Sequence, residues 1–282
     1  MKEESVGGNW AGEMGAPLDL HRLSDLLRGH QLSAGAFMAD FLRSTTTDAQ
    51  QLRAAAGICD FPRVEQLAHR MEGASRMVGA RPMAAVCALL GAAGRSGDAM
   101  GVHDALEAFV ARKQALQASV DALDAESRGP APPQLLPPGD QLCDGLVFLV
   151  VEDHEFQRGV IMRLLRRLGA LKARGFADGA EALVAARALL APAILVLDLA
   201  MPRVDGMEVM RIAAQEKLPV DVILHSALGG DLLRSPLQTA RSFGGKVVGA
   251  VSKPLTAAKL APLLAEHRGG RSTGMPGPAV PR

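Results

Sequence analysis

The chain has 282 residues, 48% of them hydrophobic, which is enough for two ordinary domains with separate cores. Its 31 basic and 30 acidic residues leave a net charge of +1, so there is no electrostatic case for nucleic acid or an anionic membrane as a partner. Aromatics are 3%, with no Tyr and one Trp, too few for a base-stacking platform. Cys59, Cys87 and Cys143 lie far apart, without metal or redox spacing, and read as free thiols in a reducing compartment. The start, Met1-Lys2-Glu3-Glu4-Ser5, has no apolar stretch behind it, and no apolar run approaches the ~18 residues of a membrane span. The expectation is a cytoplasmic protein without membrane contact.

Residues 1–16 are Gly-rich and aperiodic and are expected to be disordered. Residues 17–126 show helical periodicity and no strand. Helices are predicted at Asp19–Arg28, Ala34–Ala56, Pro62–Gly79, Pro82–Ala93 and Asp98–Leu123, giving an all-α helical bundle. Pro62 and Pro82 suit first helical turns, and Gly79 suits a helix end. Residues 127–141 hold five prolines and read as a stiff linker, reaching roughly 40 Å at ~3.1 Å per residue.

From 142 to 267 the pattern changes. Leu146–Val151 is a continuous apolar run, as in a strand buried on both faces. Helix His154–Gly169 follows, then strand 171–176, helix 179–190, strand 193–198, helix 205–216, strand 219–225, helix 231–243, strand 246–251 and helix 256–266. This alternation predicts an α/β doubly wound parallel sheet of five strands, with helices on both faces. The tail, 268–282, is Gly/Pro-rich and expected to be disordered. No remaining stretch reads as a kinase ATP-binding, DNA-binding or catalytic output domain.

Polar signals in the second half fall where strands end. Glu152 and Asp153 follow the first strand, Asp198 ends the third, Ser226 follows the fourth and Lys253 follows the fifth. Such positions converge at the carboxyl edge of a parallel sheet, predicting one acidic pocket with a lysine and a hydroxyl. Clustered carboxylates suit a hard divalent cation, and Mg²⁺ fits. Cation and lysine together would offset the charge of a phosphoryl group transferred to Asp198. Single strand-end Asp residues are more often caps, but five such groups in order are not explained that way. A dehalogenase-type phosphatase would want a second Asp at Ala200. A zinc-protease helix beginning at His154-Glu155 would want His at Arg158.

The residues Val150-Val151-Glu152-Asp153-His154, Leu197-Asp198-Leu199-Ala200-Met201-Pro202, Asp205-Gly206, Ser226-Ala227 and Lys253-Pro254 resemble the response-regulator receiver domain, a flavodoxin-like fold. By that resemblance Asp198 is the phosphoacceptor, and Glu152, Asp153, Asp198 and the backbone carbonyl of Ala200 are Mg²⁺ ligands. Ser226 is the hydroxyl that binds the phosphoryl group, Lys253 pairs with it, and Lys253-Pro254 is a cis peptide. Ala250 stands where the family often has an aromatic switch residue.

In the first half, His69 lies within about 60° of Glu65, Glu72, Gly73 and Arg76 on a helical projection. Val64, Leu67, Met71, Ala74 and Val78 cluster on the opposite side. His69 thus projects from the polar stripe, with little bulk at Gly73 one turn on. The run His69-x-x-x-Gly73-Ala74-Ser75 with Gly79-Ala80 resembles the histidine phosphotransfer (HPt) domain. The resemblance makes His69 a phosphoacceptor and Gly73 the clearance residue. Glu72 stands where the family commonly has Lys, and Arg70 or, better placed, Arg76 would offset its charge. His21, His30, His103, His225 and His267 have no comparable setting and read as structural or solvated.

The combined reading is a phosphorelay intermediate of a two-component system. It would transfer a phosphoryl group between His69 and receiver aspartates including Asp198, with sensor histidine kinases or other receiver domains as partners. It would be a phosphotransfer protein rather than a classical enzyme. The alternative is a receiver-controlled interaction module whose helical domain carries no phosphate. A small-molecule phosphatase comes third.

Overall fold

The computed structural model describes residues 16–27, 33–126, 142–201, 205–227 and 233–272. The proline-rich linker, His30, Pro202, Gly229-Gly230 and the N-terminal segment up to Gly15 lie outside them. The chain divides into two compact units, one helical and one α/β.

The helical unit consists of α1 Leu20–Leu27, α2 Ala34–Gly57, α3 Phe61–Val78, α4 Arg81–Ser96 and α5 Ala99–Glu126. Local chemistry sets these ends. The Ser33 hydroxyl accepts from the Ala36 N–H at the start of α2, and the Asp60 carboxylate accepts from the Arg63 N–H at the start of α3. Gly79 closes α3 with a φ of 84°, where a Cβ would lie 3.0 Å from the Asp19 carbonyl oxygen. The core joins Phe37, Phe41 and Leu52 of α2 to Val64, Leu67, Met71 and Val78 of α3, with Met83 and Leu90 of α4 and Phe109 of α5. At Gly94 a Cβ would sit 3.0 Å from the Glu65 nitrogen, so α4 presses directly on the backbone of α3. The face of α3 opposite its core contacts carries His69.

The second unit is a five-stranded sheet of order β2-β1-β3-β4-β5, parallel throughout. Its strands are β1 Val147–Val151, β2 Lys172–Phe176, β3 Ala193–Asp198, β4 Val220–Ser226 and β5 Lys246–Ser252. The helices are α6 Glu155–Arg167, α7 Gly179–Arg187, α8 Gly206–Gln215, α9 Arg234–Ser242 and α10 Ala257–Ser272. Strand residues alternate between two cores. Leu149, Leu195 and Leu224 pack with Leu183, Val209 and Ala240 of α7, α8 and α9. Val150, Val196 and Ile223 pack with Ile161 of α6 and Leu260 and Leu264 of α10. The chain reverses its direction of winding between β1 and β3, which opens a crevice at their carboxyl ends. This is the flavodoxin-like arrangement.

Several helix bounds differ from expectation; α4 runs to Ser96 and α5 to Glu126, each three residues past the expected Ala93 and Leu123. The first long helix of the α/β unit does not begin at His154. His154 is the N-cap of α6, its Nδ1 accepting from the Gln157 N–H at 3.5 Å. The last helix also runs past its expected end at 266, because α10 extends to Ser272 with Pro262 inside it. A tertiary contact holds this end. The buried His267 Nε2 lies 2.6 Å from the Asp221 carboxylate at the start of β4, a pairing invisible to local propensity.

Candidate functional site

Strands β1, β3 and β5 deliver the pocket. Asp198 is the last residue of β3, Glu152 and Asp153 follow β1, and Lys253 follows β5. One carboxylate oxygen from each of Glu152, Asp153 and Asp198 lies within 4.8 Å of the others. The Lys253 ammonium donates to Glu152 Oε2 at 2.7 Å and to Asp198 Oδ2 at 2.9 Å. Glu152 and Asp198 are 1% and 2% exposed, and Asp153 is half-buried.

One buried ammonium therefore meets two buried carboxylates, with the half-buried Asp153 beside them. Burial pushes the Glu152 carboxyl up to about 8, against the attraction of Lys253 and with repulsion from Asp198 and Asp153 added. Burial works against the charge on Lys253, but the Glu152 and Asp198 carboxylates outweigh it and hold the ammonium protonated well above its ordinary range.

Backbone groups complete the frame. The Ala200 N–H donates to Asp198 Oδ1 at 3.2 Å, while Ala200 itself is exposed. Ser226 is buried at the end of β4, and its carbonyl accepts from the Lys253 N–H at 2.7 Å. Arg158 donates to the Glu152 carbonyl at 2.7 Å, steadying the loop that carries the acidic pair. The Lys253-Pro254 peptide is cis. Gly206 opens α8 against β3, where a Cβ would collide with the Asp198 carbonyl oxygen. Asp205 caps that helix by accepting from the Glu208 N–H at 2.7 Å.

In the helical unit His69 is exposed on α3, and Val64, Leu67, Met71, Ala74 and Val78 are all buried, as the helical projection requires. Arg76 is also exposed and pairs with Glu72 at 2.6 Å, one turn apart. Gly73, one turn after His69, is half-buried. Arg70 is turned the other way and pairs with the buried Asp48 of α2. It therefore holds α3 to α2 and does not offset Glu72, so that task falls to Arg76 alone of the two. Glu65 pairs with Arg95 of α4 at 2.7 Å.

Residues 36–126 match the Hpt domain family, and residues 148–265 match the response regulator receiver domain family. The chain carries an Hpt domain followed by a response-regulator receiver domain. Together they support a phosphorelay role in two-component signalling. Among curated proteins, a protein-glutamate methylesterase/protein-glutamine glutaminase 5 of Myxococcus xanthus is 37% identical over 107 residues, 38% of this chain. The match spans only 29% of that relative's length. Histidine-containing phosphotransfer protein B of Pseudomonas aeruginosa PAO1 is 20% identical, with a TM-score of 0.38 over 40% of this chain and 97% of its own. The receiver domain of the histidine kinase CKI1 from Arabidopsis thaliana, as the D1050A mutant, is 20% identical, with a TM-score of 0.39 over 47% of this chain and 97% of its own. The assignment rests on the two family matches.

One residue of the receiver pocket escaped the sequence reading. His225 stands in register with Asp198 on the neighbouring strand, wholly buried, with its Nδ1 3.9 Å from Glu152 Oε2. Burial, then the charges of Lys253 and Lys259, keep this imidazole neutral by lowering its pKa well below the usual value. Its place just before Ser226, in a strand otherwise apolar from Val222 to Leu224, was the available signal. Ala250, at the position of the missing aromatic, packs at the edge of the core that faces α7, α8 and α9. Among the described residues no helix is long and apolar enough to cross a membrane.

Proposed function

We propose that this chain is a phosphorelay intermediate in which His69 of the Hpt domain and Asp198 of the receiver domain each accept a phosphoryl group. The reading takes residues 17–126 as the phosphohistidine-bearing unit and 142–267 as the core of the receiver. The observation that carries it is the pocket, where the buried Asp198 carboxylate is bonded by Lys253 and lies among two further carboxylates.

The donor set fits Mg²⁺. Its oxygens are hard ligands, and they lie within 4.8 Å of one another. Glu152, Asp153, Asp198 and the Ala200 carbonyl would hold the ion, which supplies positive charge against the phosphoryl oxygens. Asp198 Oδ then attacks phosphorus in line. The new O–P bond forms as the P–N bond of a phosphohistidine breaks, and the electron pair returns to the imidazole nitrogen. Lys253 moves its ammonium from the carboxylate to the transferred group, and the Ser226 hydroxyl donates to a phosphoryl oxygen. His69 takes part from an exposed helical face, where a partner receiver reaches the ring past Gly73. Sensor histidine kinases and other receivers are the partners of this chemistry, in the cytoplasm.

The test is label transfer to the full chain from a panel of phosphorylated sensor kinases and receivers. An acid-labile, base-stable label is expected at His69 and a base-labile label at Asp198. A chain labelled on neither residue by any donor, acetyl phosphate included, contradicts the reading. Label on Asp198 alone favours the interaction-module reading, in which the Glu72–Arg76 pair beside His69 marks a surface that has lost phosphotransfer.

Asp153→Ala separates the metal from the nucleophile. Removing one of three carboxylates should raise the Mg²⁺ concentration for half-maximal phosphorylation by acetyl phosphate on the order of tenfold, equivalent to about 1.4 kcal/mol of ion binding. Titration curves that superimpose on wild type would take Asp153 out of the metal site.

A further inference from the structure

Lys259 lies in the first turn of α10, and its ammonium is turned back onto the loop that precedes the helix. It donates to the Ser252 carbonyl at 2.7 Å, the Ser252 hydroxyl at 3.1 Å and the Pro254 carbonyl at 2.9 Å. An ammonium has three N–H groups, and these acceptors match that number. The two carbonyls belong to the residues on either side of Lys253. Lys253 is thus bracketed from the α10 side, while its own N–H is held from the β4 side by the Ser226 carbonyl.

The placement is unfavourable for the helix by itself. A cation in the first turn opposes the helix dipole, so α10 gains nothing from Lys259 as an N-terminal residue. The loop, by contrast, is short of internal support. Pro254 has no N–H to donate. The Thr256 hydroxyl and carbonyl are occupied in capping α10, where they accept from the N–H groups of Lys259 and Leu260. The backbone beneath Lys253 therefore depends on contacts from outside the loop.

That backbone matters because Lys253 reaches the pocket across a long side chain. Its ammonium meets Glu152 and Asp198 at hydrogen-bond distance, and a misplacement of ~1 Å at a reacting group is enough to cost on the order of a hundredfold in rate. We propose that Lys259 is a positioning residue for phosphoryl transfer at Asp198: by holding the carbonyls of Ser252 and Pro254 it keeps Lys253 where its ammonium reaches the Asp198 carboxylate and the group transferred to it. The role rests on the reading of Asp198 as phosphoacceptor. It acts through Lys253 and not through the acidic pair, which sits on a different loop.

The test uses the full chain with two variants. Lys259→Met removes the donors and keeps a good helix former of similar length, and Lys259→Arg keeps a cation with several donors. The first readout needs no phosphate. Amide hydrogen exchange across residues 252–256 of the unphosphorylated chain should speed up roughly tenfold in Lys259→Met and stay close to wild type in Lys259→Arg. The second is the rate of Asp198 labelling by acetyl phosphate across an Mg²⁺ titration. Lys259→Met should lower the maximal rate about tenfold and leave the half-saturating Mg²⁺ concentration within about twofold of wild type. Lys259→Arg should recover most of the rate.

An unchanged maximal rate in Lys259→Met overturns the proposal. So does an equal loss of rate and Mg²⁺ affinity, which marks general loosening of the domain. Restored exchange without restored rate in Lys259→Arg overturns it as well. If the wild-type chain itself takes no label on Asp198, the phosphoacceptor reading fails and takes this role with it. The wild-type sample distinguishes that result from a failure at Lys259 alone.

Discussion

Asp198→Asn should abolish the base-labile phosphate on the receiver domain, with no incorporation from acetyl phosphate above background at saturating Mg²⁺. The carboxylate is the nucleophile, and an amide oxygen is a far poorer one that carries no charge to hold a cation. The fold should survive. The amide is nearly isosteric, its oxygen still accepts from the Ala200 N–H, and the change removes one of three mutually repelling carboxylates. The Lys253 ammonium keeps Glu152 as a partner at 2.7 Å. Thermal unfolding close to that of wild type, together with loss of label, is therefore the expected pair of results. Persistent label in this variant, mapped to the receiver domain, would place the phosphoacceptor elsewhere.

The second large effect is at the histidine. In an Asp198→Asn background, any acid-labile label passed from a phosphorylated receiver should sit on His69, and adding His69→Gln should remove it. The exposed imidazole belongs to no core contact, so the substitution should leave the bundle folded. Glu72→Lys then tests the electrostatics. Glu72 lies on the same stripe and occupies Arg76, so its replacement by a cation both removes repulsion of the phosphoryl group and releases the Arg76 guanidinium. Transfer to His69 should accelerate on the order of threefold at low salt, and less as salt is added, because the His69 and Arg76 side chains stand exposed to screening ions. If neither wild type nor Glu72→Lys is labelled by any receiver, the interaction-module reading replaces the relay.

Much of this was legible before any coordinates. Helical periodicity sorted His69 from Val64, Leu67, Met71, Ala74 and Val78 because side chains on one helix share a face by arithmetic alone. Strand-like stretches alternating with helical ones implied a parallel sheet, and such a sheet gathers its strand ends at one edge. Glu152, Asp153, Asp198 and Lys253 could therefore be grouped although 101 residues separate Glu152 from Lys253. The Asp205-Gly206 pair was visible as a motif, but its reason was not: α8 begins so close to β3 that a side chain on Gly206 would strike the Asp198 carbonyl.

Contacts between elements had to come from the folded chain. Sequence carries local preference over a few residues, whereas the partner of a buried charge depends on strand register and helix packing. A helical projection puts Arg76 nearer His69 than Arg70 but names no partner for either; Arg70 is taken by Asp48 of α2 and Arg76 by Glu72. His225 read as an ordinary strand residue until the β3–β4 register set it beside Asp198. The end of α10 was misjudged because the His267–Asp221 pair joins residues 46 apart and offsets a Gly-rich composition that favours ending the helix. By itself the sequence determined the two domains, the faces of their elements and the acidic edge of the sheet, because each follows from local periodicity and strand polarity. Only the tertiary structure decided which cation meets which carboxylate, because that depends on distances across the fold that no local pattern encodes.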